Sequence, residues 1–167
     1  LHIMAEKKRV LMICLGNICR SPIAEAVFID QLNKMGLNNS WEVESAALIG
    51  YHTGKSPDHR AMSTLRDNGI TSYSHKARPD DFNRFDWIFG MDNSNMKELN
   101  NMKPENNKAK IELLGKYDPQ GELIIRDPYY DNGSAGFYTV YEQCVRSVKA
   151  FLEMYKGIRK IIFLINS

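Results

Sequence analysis

The sequence has no long apolar run and no excess of charge of either sign. No apolar run approaches the roughly 18 residues of a membrane-spanning helix, and nothing near the N-terminus resembles a signal peptide. Lysine and arginine number 22 against 20 aspartates and glutamates, which gives a net charge of +2. A nucleic-acid-binding surface needs clustered basic residues. We therefore expect neither a membrane nor a nucleic-acid partner.

Cysteine is also scarce. Three cysteines are too few for the disulfide framework of a small secreted protein. Cys14 and Cys19 are five residues apart, which is not a usual zinc-ligand spacing, and no histidine cluster accompanies them. We therefore predict no metal and no cofactor, and a cytoplasmic location, where a thiol stays reduced.

The 167 residues fit one domain of ordinary size. We predict a single domain over residues 5–156, with 1–4 and 157–167 as terminal extensions or vector-derived sequence. Gly157 is interpreted as the stop of the last helix. The apolar run at 161–165 has a second interpretation, as a native final strand.

Strand and helix patterns alternate along the chain. Ser21 is the predicted N-cap of the first helix, Pro22 its first residue and Gly36 its stop. The other predicted helices cover 57–68, 92–101 and 137–155, and Asp92 is interpreted as the cap of the third. The predicted strands are 10–13, 41–46, 86–91 and 111–114. This order predicts an α/β fold with a four-stranded parallel sheet and helices on both faces, a flavodoxin-like three-layer sandwich.

The loop between the first strand and the first helix contains the residues that indicate a function. Backbone N–H groups in such a turn can converge on an anion, and Gly16 is expected to supply the unusual backbone angles of the curl. Arg20 adds a planar two-pronged donor for two phosphoryl oxygens. These positive surroundings favour the thiolate of Cys14, which makes it a candidate nucleophile. Ligands bind at the carboxyl ends of parallel strands, where this loop lies.

These residues and several later segments resemble the low-molecular-weight protein tyrosine phosphatases. The first match is VLMICLGNICRSPIAEA at residues 10–26. The others are ESAA at 44–47, GMD at 90–92, AKIELLG at 109–115 and DPYY at 127–130. Together they extend the resemblance over roughly residues 8–156.

The resemblance implies a protein tyrosine phosphatase that forms a cysteinyl-phosphate, and that also acts on small aryl phosphates. It assigns catalysis to Cys14, Arg20 and Asp127, with Asp127 as the general acid that protonates the leaving oxygen. It places phosphate and substrate binding at Leu15, Gly16, Asn17, Ile18, Cys19, Ser21, Tyr51, Tyr129 and Tyr130. Supporting hydrogen bonds are expected from Asn17, Ser21, Ser45 and His75. The implied partners are phosphotyrosine-containing proteins, with inorganic phosphate or a similar oxyanion in the loop.

Two other functions remain open at this point. An arsenate reductase shares this loop and fold, but it needs further cysteines to resolve its intermediate, and residues 72–92 contain none. Cys144 lies on the apolar face of the last predicted helix. A non-catalytic phosphate-binding module is the second alternative, and such a module is expected to lack Cys14, Arg20 or Asp127.

Overall fold

The computed structural model describes residues 6–70 and 75–167. In these residues, strands and helices alternate for most of the chain, and a short 3₁₀ helix, Leu114–Tyr117, follows the last strand. The strands are β1 Lys8–Cys14, β2 Trp41–Ala47, β3 His75–Lys76, β4 Trp87–Gly90 and β5 Lys110–Leu113. The helices are α1 Arg20–Met35, α2 His59–Arg66, α3 Asp81–Arg84, α4 Asn93–Met102 and α5 Ala135–Ile165.

All strand pairs in the sheet are parallel, and the strand order is β3-β2-β1-β4-β5. β1 is therefore central, and its last residue, Cys14, pairs with Ala47 at the carboxyl end of β2. The predicted α/β class is confirmed, and each of the four predicted strands is present. β3, a two-residue strand at the edge, is an addition that the sequence pattern did not predict.

The two faces of β1 enter different cores, because successive side chains of a strand point to opposite faces. Val10 and Met12 pack into a cluster with α1, α2 and α5. Leu11 and Ile13 pack into a second cluster with α3 and α4. Helices therefore cover both faces of the sheet, as predicted.

The start of α1 differs from the prediction. The helix begins at Arg20 with Cys19 at the N-cap position, so Ser21 is not the cap. The hydroxyl of Ser21 is instead used inside the loop, as described below. At the other end, Gly36 adopts the left-handed conformation with φ of 67° and ends the helix as predicted.

The interpretation of the C-terminal residues as a helix stop and a strand is wrong. α5 continues through Gly157 to Ile165. The side chains of residues 161–165 are exposed. No described helix is long and apolar enough to cross a bilayer. The division into a domain at 5–156 and two extensions stays a prediction.

Candidate active site

Residues 15–19 connect the end of the central strand to the start of α1. No backbone N–H group of these five residues donates a hydrogen bond to an acceptor in the described part of the chain. Donors at a helix N-terminus that have no protein partner attract an anion, and the helix dipole adds to this attraction. The loop is therefore chemically suited to an oxyanion.

The unusual backbone angle of this loop lies at Asn17 and not at Gly16. Asn17 has a φ of 55°, whereas Gly16 is not among the residues with positive φ. The prediction that Gly16 supplies the unusual backbone angle was therefore wrong. A Cβ at Gly16 would lie 2.9 Å from Cδ2 of His52, so any other residue there would have to displace the His52 ring.

A short chain of hydrogen bonds runs from Asn17 to the Cys14 thiol. Nδ2 of Asn17 donates to Oγ of Ser21 over 2.6 Å. The same Oγ lies 3.0 Å from Sγ of Cys14. Because the amide nitrogen can only donate, the Ser21 hydroxyl accepts from Asn17 and keeps its own proton for Cys14. This arrangement stabilises negative charge on the sulfur.

Arg20 is 2% exposed and is held by groups from two other segments. Its Nη1 donates to Oδ2 of Asp92 over 2.5 Å and to the carbonyl of Ile125 over 3.0 Å. Its Nη2 donates to Oδ2 of Asp127 over 3.2 Å. Its Nε is buried without an acceptor among the described residues. A phosphoryl oxygen would satisfy this remaining donor.

The charge states of the buried groups follow from their neighbours. Burial opposes the charged guanidinium of Arg20, but Cys14, Asp92 and Asp127 raise its pKa above the ordinary value. Burial, followed by the nearby Cys14, raises the pKa of the Cys19 thiol far above its usual range. Burial likewise raises the pKa of Cys144 to about 12. Cys19 and Cys144 are therefore neutral thiols at physiological pH.

Asp127 reaches the loop from a distant segment of the chain. Its Oδ2 accepts from Arg20, and its Oδ1 accepts from the backbone N–H of Tyr129 over 3.1 Å. Pro128 restricts the backbone of Asp127 to extended conformations. The side chain of Asp127 is 37% exposed. The structure thus brings Cys14, Arg20 and Asp127 together although Asp127 is more than a hundred residues away in sequence.

A cleft of about 390 Å³ opens beside these residues. Tyr51 is 77% exposed and Tyr130 is 92% exposed, so both offer accessible rings on its rim. The ring of Tyr129 lies 4.9 Å from that of Tyr130 and 6.0 Å from that of His52. The lining residues are Cys14, Leu15, Gly16, Ile18, Cys19, Ile49, Tyr51, His52, Asp127, Tyr129 and Tyr130. Of the residues predicted to bind phosphate or substrate, Asn17 and Ser21 are buried and do not line the cleft.

Several contacts of the site were not predicted. Asp92 caps α4 through the N–H of Asn95, which confirms the prediction for it, but its other carboxylate oxygen binds Arg20. Ser45 donates to the buried carboxylate of Glu25 on α1.

The side chain of His75 lies outside the described residues. In the described ranges, no group of three His, Cys, Asp or Glu side chains is arranged to hold a metal ion.

Comparison with known proteins adds an independent observation. The family model described as low molecular weight phosphotyrosine protein phosphatase matches residues 9–160. A relative of that name from Homo sapiens is 53% identical over 157 residues, covering 90% of this chain and 98% of the relative. The crystal structure of Primo-1 matches with a TM-score of 0.84 at 48% identity, over 87% of this chain and 97% of Primo-1. That of DARP, a Drosophila arginine phosphatase, matches with a TM-score of 0.83 at 38% identity, over 88% and 97%.

Proposed function

The chain belongs to the low molecular weight phosphotyrosine protein phosphatase family, and from this membership we propose that it hydrolyses phosphotyrosine in proteins, and small aryl phosphates, through a cysteinyl-phosphate. The observation that carries the proposal is that Asp127 lines the same cleft as Cys14 and is bonded there to Arg20. Cys14 and Asp127 both line the cleft, and the buried Arg20 donates to the Asp127 carboxylate. These groups are a nucleophile, an acid and an oxyanion binder.

In the first step, the Cys14 thiolate attacks phosphorus and the bond to the phenolic oxygen breaks. Protonated Asp127 gives its proton to that oxygen, so that a neutral phenol leaves. The negative charge on the equatorial oxygens is stabilised by Arg20 and by the N–H groups of residues 15–19, which lack acceptors in the described protein. The phosphoryl group is then bound to sulfur.

In the second step, water attacks phosphorus and the sulfur–phosphorus bond breaks. The Asp127 carboxylate takes a proton from the water and is again an acid for the next cycle. The Cys14 thiolate is the leaving group, and the hydrogen bond from Ser21 over 3.0 Å stabilises it as it forms. Inorganic phosphate is released.

The selectivity proposed for tyrosine rests on the aromatic rim. A phenyl ring can stack on Tyr51 or on Tyr129 and Tyr130 while its phosphate reaches the loop. A phosphoserine side chain has no ring for these contacts. Since DARP carries the description of an arginine phosphatase, phosphoarginine is the competing substrate to test.

The other two functions have less support. The arsenate reductase alternative needs a resolving thiol, and Cys144 is completely buried in α5. The neutral Cys19 thiol is also buried. A non-catalytic module has no use for an acid beside the nucleophile, yet Asp127 is held there by Arg20.

Hydrolysis by the purified chain tests the proposal. We expect turnover of p-nitrophenyl phosphate at mildly acidic pH in the presence of EDTA, and faster turnover of phosphotyrosine peptides than of matched phosphoserine or phosphoarginine peptides. Cys14→Ser should abolish turnover, whereas Cys144→Ala, the matched control for loss of a buried thiol, should keep it. Sustained turnover by Cys14→Ser would refute the nucleophile, and a preference for phosphoarginine would refute the substrate.

We also propose that the chain works in the cytoplasm. Cys14, Cys19 and Cys144 are all free thiols, and a reducing compartment preserves the nucleophile in that state. Imaging of a tagged chain, together with fractionation, tests the location, and recovery from a secreted fraction would contradict it.

A further inference from the structure

Arg60, the second residue of α2, makes an unusual set of contacts. Its Nε and Nη2 form a two-pronged pair with the carboxylate of Asp58, each over 3.0 Å. Nη2 also donates to the carbonyl of Tyr129 over 2.8 Å, and Nη1 donates to the carbonyl of Asp131 over 2.7 Å. The guanidinium lies 4.5 Å from the ring centre of Phe137. Arg60 therefore fixes the chain two and four residues after Asp127.

Asp58 connects the same pair to the loop that carries Cys14. Its backbone N–H donates to the carbonyl of Ile18 over 2.7 Å. Its side chain accepts from the N–H of Arg60 and caps α2. The side chains of Asp58 and Arg60 are only 10% and 15% exposed, so water competes little for these contacts.

The segment that carries Asp127 is held in place by hydrogen bonds to other parts of the fold. The described residues between Tyr117 and Ala135 contain no helix or strand. Before Asp127, the segment is held by the backbone N–H of Ile125, which donates to the carbonyl of Met91 over 2.9 Å, and by Arg20. After Asp127, the bonds from Arg60 hold it against α2.

We propose that Arg60 is a positioning residue for the acid step, a role that rests on the proposed function. Through Asp58 it sets the distance between the loop of Cys14 and the backbone that follows Asp127. The acid transfers its proton only within hydrogen-bond reach of the leaving oxygen, and a displacement of about 1 Å can cost about 100-fold in rate. Lysine cannot replace this residue, because a point charge does not reproduce the planar fork that binds a carboxylate and two carbonyls together.

The leaving-group dependence of kcat/KM separates this role from a merely structural one. We expect Arg60→Met to lower kcat/KM about 10- to 100-fold for phenyl phosphate, a poor leaving group that needs the acid. For p-nitrophenyl phosphate, a good leaving group, the fall should be less than about threefold. Inhibition by inorganic phosphate should stay within about twofold, since Arg20 and the loop are retained. Arg66→Met is the matched control on the same helix, because Arg66 is exposed and its guanidinium bonds to Ser63 one turn earlier in α2.

A double-mutant cycle with Asp127→Asn makes the test decisive. If Arg60 acts through Asp127, Arg60→Met should change kcat/KM less than about twofold in the Asp127→Asn background. Arg60→Lys gives the same cycle if the methionine variant does not fold. Additive losses, or equal slowing of both phosphates, would overturn the inference and leave the proposed function intact. A wild-type chain without turnover would instead overturn the proposed function, and this inference with it.

Discussion

Two substitutions of Asn17 separate the two tasks of this residue. The first task is conformational, because Asn17 holds a left-handed backbone with φ of 55°. The second is the hydrogen bond from Nδ2 to Ser21, which leaves the Ser21 proton for Cys14. Asn17→Gly keeps the backbone angle and loses the bond. Asn17→Ala loses the bond and also puts a Cβ on a left-handed backbone.

The structure sets the expected sizes. Loss of one buried hydrogen bond costs about 1 kcal/mol, and the greater freedom of glycine in the unfolded chain adds up to about 1 kcal/mol. Asn17→Gly should therefore lower the free energy of unfolding by about 1–2 kcal/mol. Asn17→Ala should be less stable than Asn17→Gly by about 1 kcal/mol, because alanine tolerates positive φ poorly. Both variants lose the same bond, so kcat should fall by a similar factor, about fivefold if the full ~1 kcal/mol is lost from the transition state.

Urea unfolding followed by tryptophan fluorescence measures the stability difference, since Trp41 and Trp87 are both buried in the core. The buffer must contain no phosphate or other oxyanion, because a ligand of the folded state would raise its apparent stability. Steady-state hydrolysis of p-nitrophenyl phosphate gives kcat. Equal stability of the glycine and alanine variants would refute the role of the backbone angle. Full activity of Asn17→Gly would refute the role of the hydrogen bond.

Three further predictions concern stability. Gly115→Ala should lower the free energy of unfolding by about 3 kcal/mol, because its Cβ would lie 2.2 Å from the carbonyl oxygen of Leu123. Urea unfolding of this variant at the wild-type midpoint would contradict the close approach. Phe151→Ala should lower the free energy of unfolding by about 4 kcal/mol, since Phe151 is 1% exposed and contacts five other aromatic rings. A loss below about 2 kcal/mol would contradict its place at the centre of the core. Hydrogen bonds from Arg146 lower the pKa of Asp118, so this pair stabilises the fold at neutral pH and ceases to do so as the pH falls through the lowered pKa. Arg146→Gln should therefore lower the free energy of unfolding at neutral pH by about 2 kcal/mol. The variant should also lose less stability than the wild type when the pH is lowered. Urea midpoints equal to those of the wild type at neutral and at acidic pH would refute the pairing.

The sequence predicts the parts of the fold that local patterns determine. A short apolar strand, a loop and a capped helix are neighbours in the chain, so the strand and helix around Cys14 follow from residue order. The cap of α4 by Asp92 is local in the same way and was predicted. β3 has only two residues, which is too short to show a period of two. Gly157 was misinterpreted because an isolated glycine costs a helix only about 1 kcal/mol, which good helix formers around it offset.

The contacts of the site depend on strand order, which alternation alone does not give. Asp92 meets Arg20 because β4 lies beside β1 in the sheet. Sequence alone does not predict this pairing, although a carboxylate at the end of a neighbouring parallel strand could have suggested it. Asp58 and Arg60 bring two distant loops together, and neither has a local pattern that distinguishes it from an ordinary helix cap. The left-handed angle falls at Asn17 because asparagine also tolerates that conformation, so the presence of glycine did not locate it.

Chemical trapping of the intermediate tests the central claim most directly. Rapid acid quenching of the chain during turnover of p-nitrophenyl phosphate, followed by peptide mass spectrometry, shows where a phosphoryl group resides. We predict one phosphoryl group on the peptide that contains Cys14, and none on that peptide in Cys14→Ser. A phosphoryl group on another residue, or turnover without any phosphoenzyme under conditions where its breakdown is rate-limiting, would contradict the proposed mechanism.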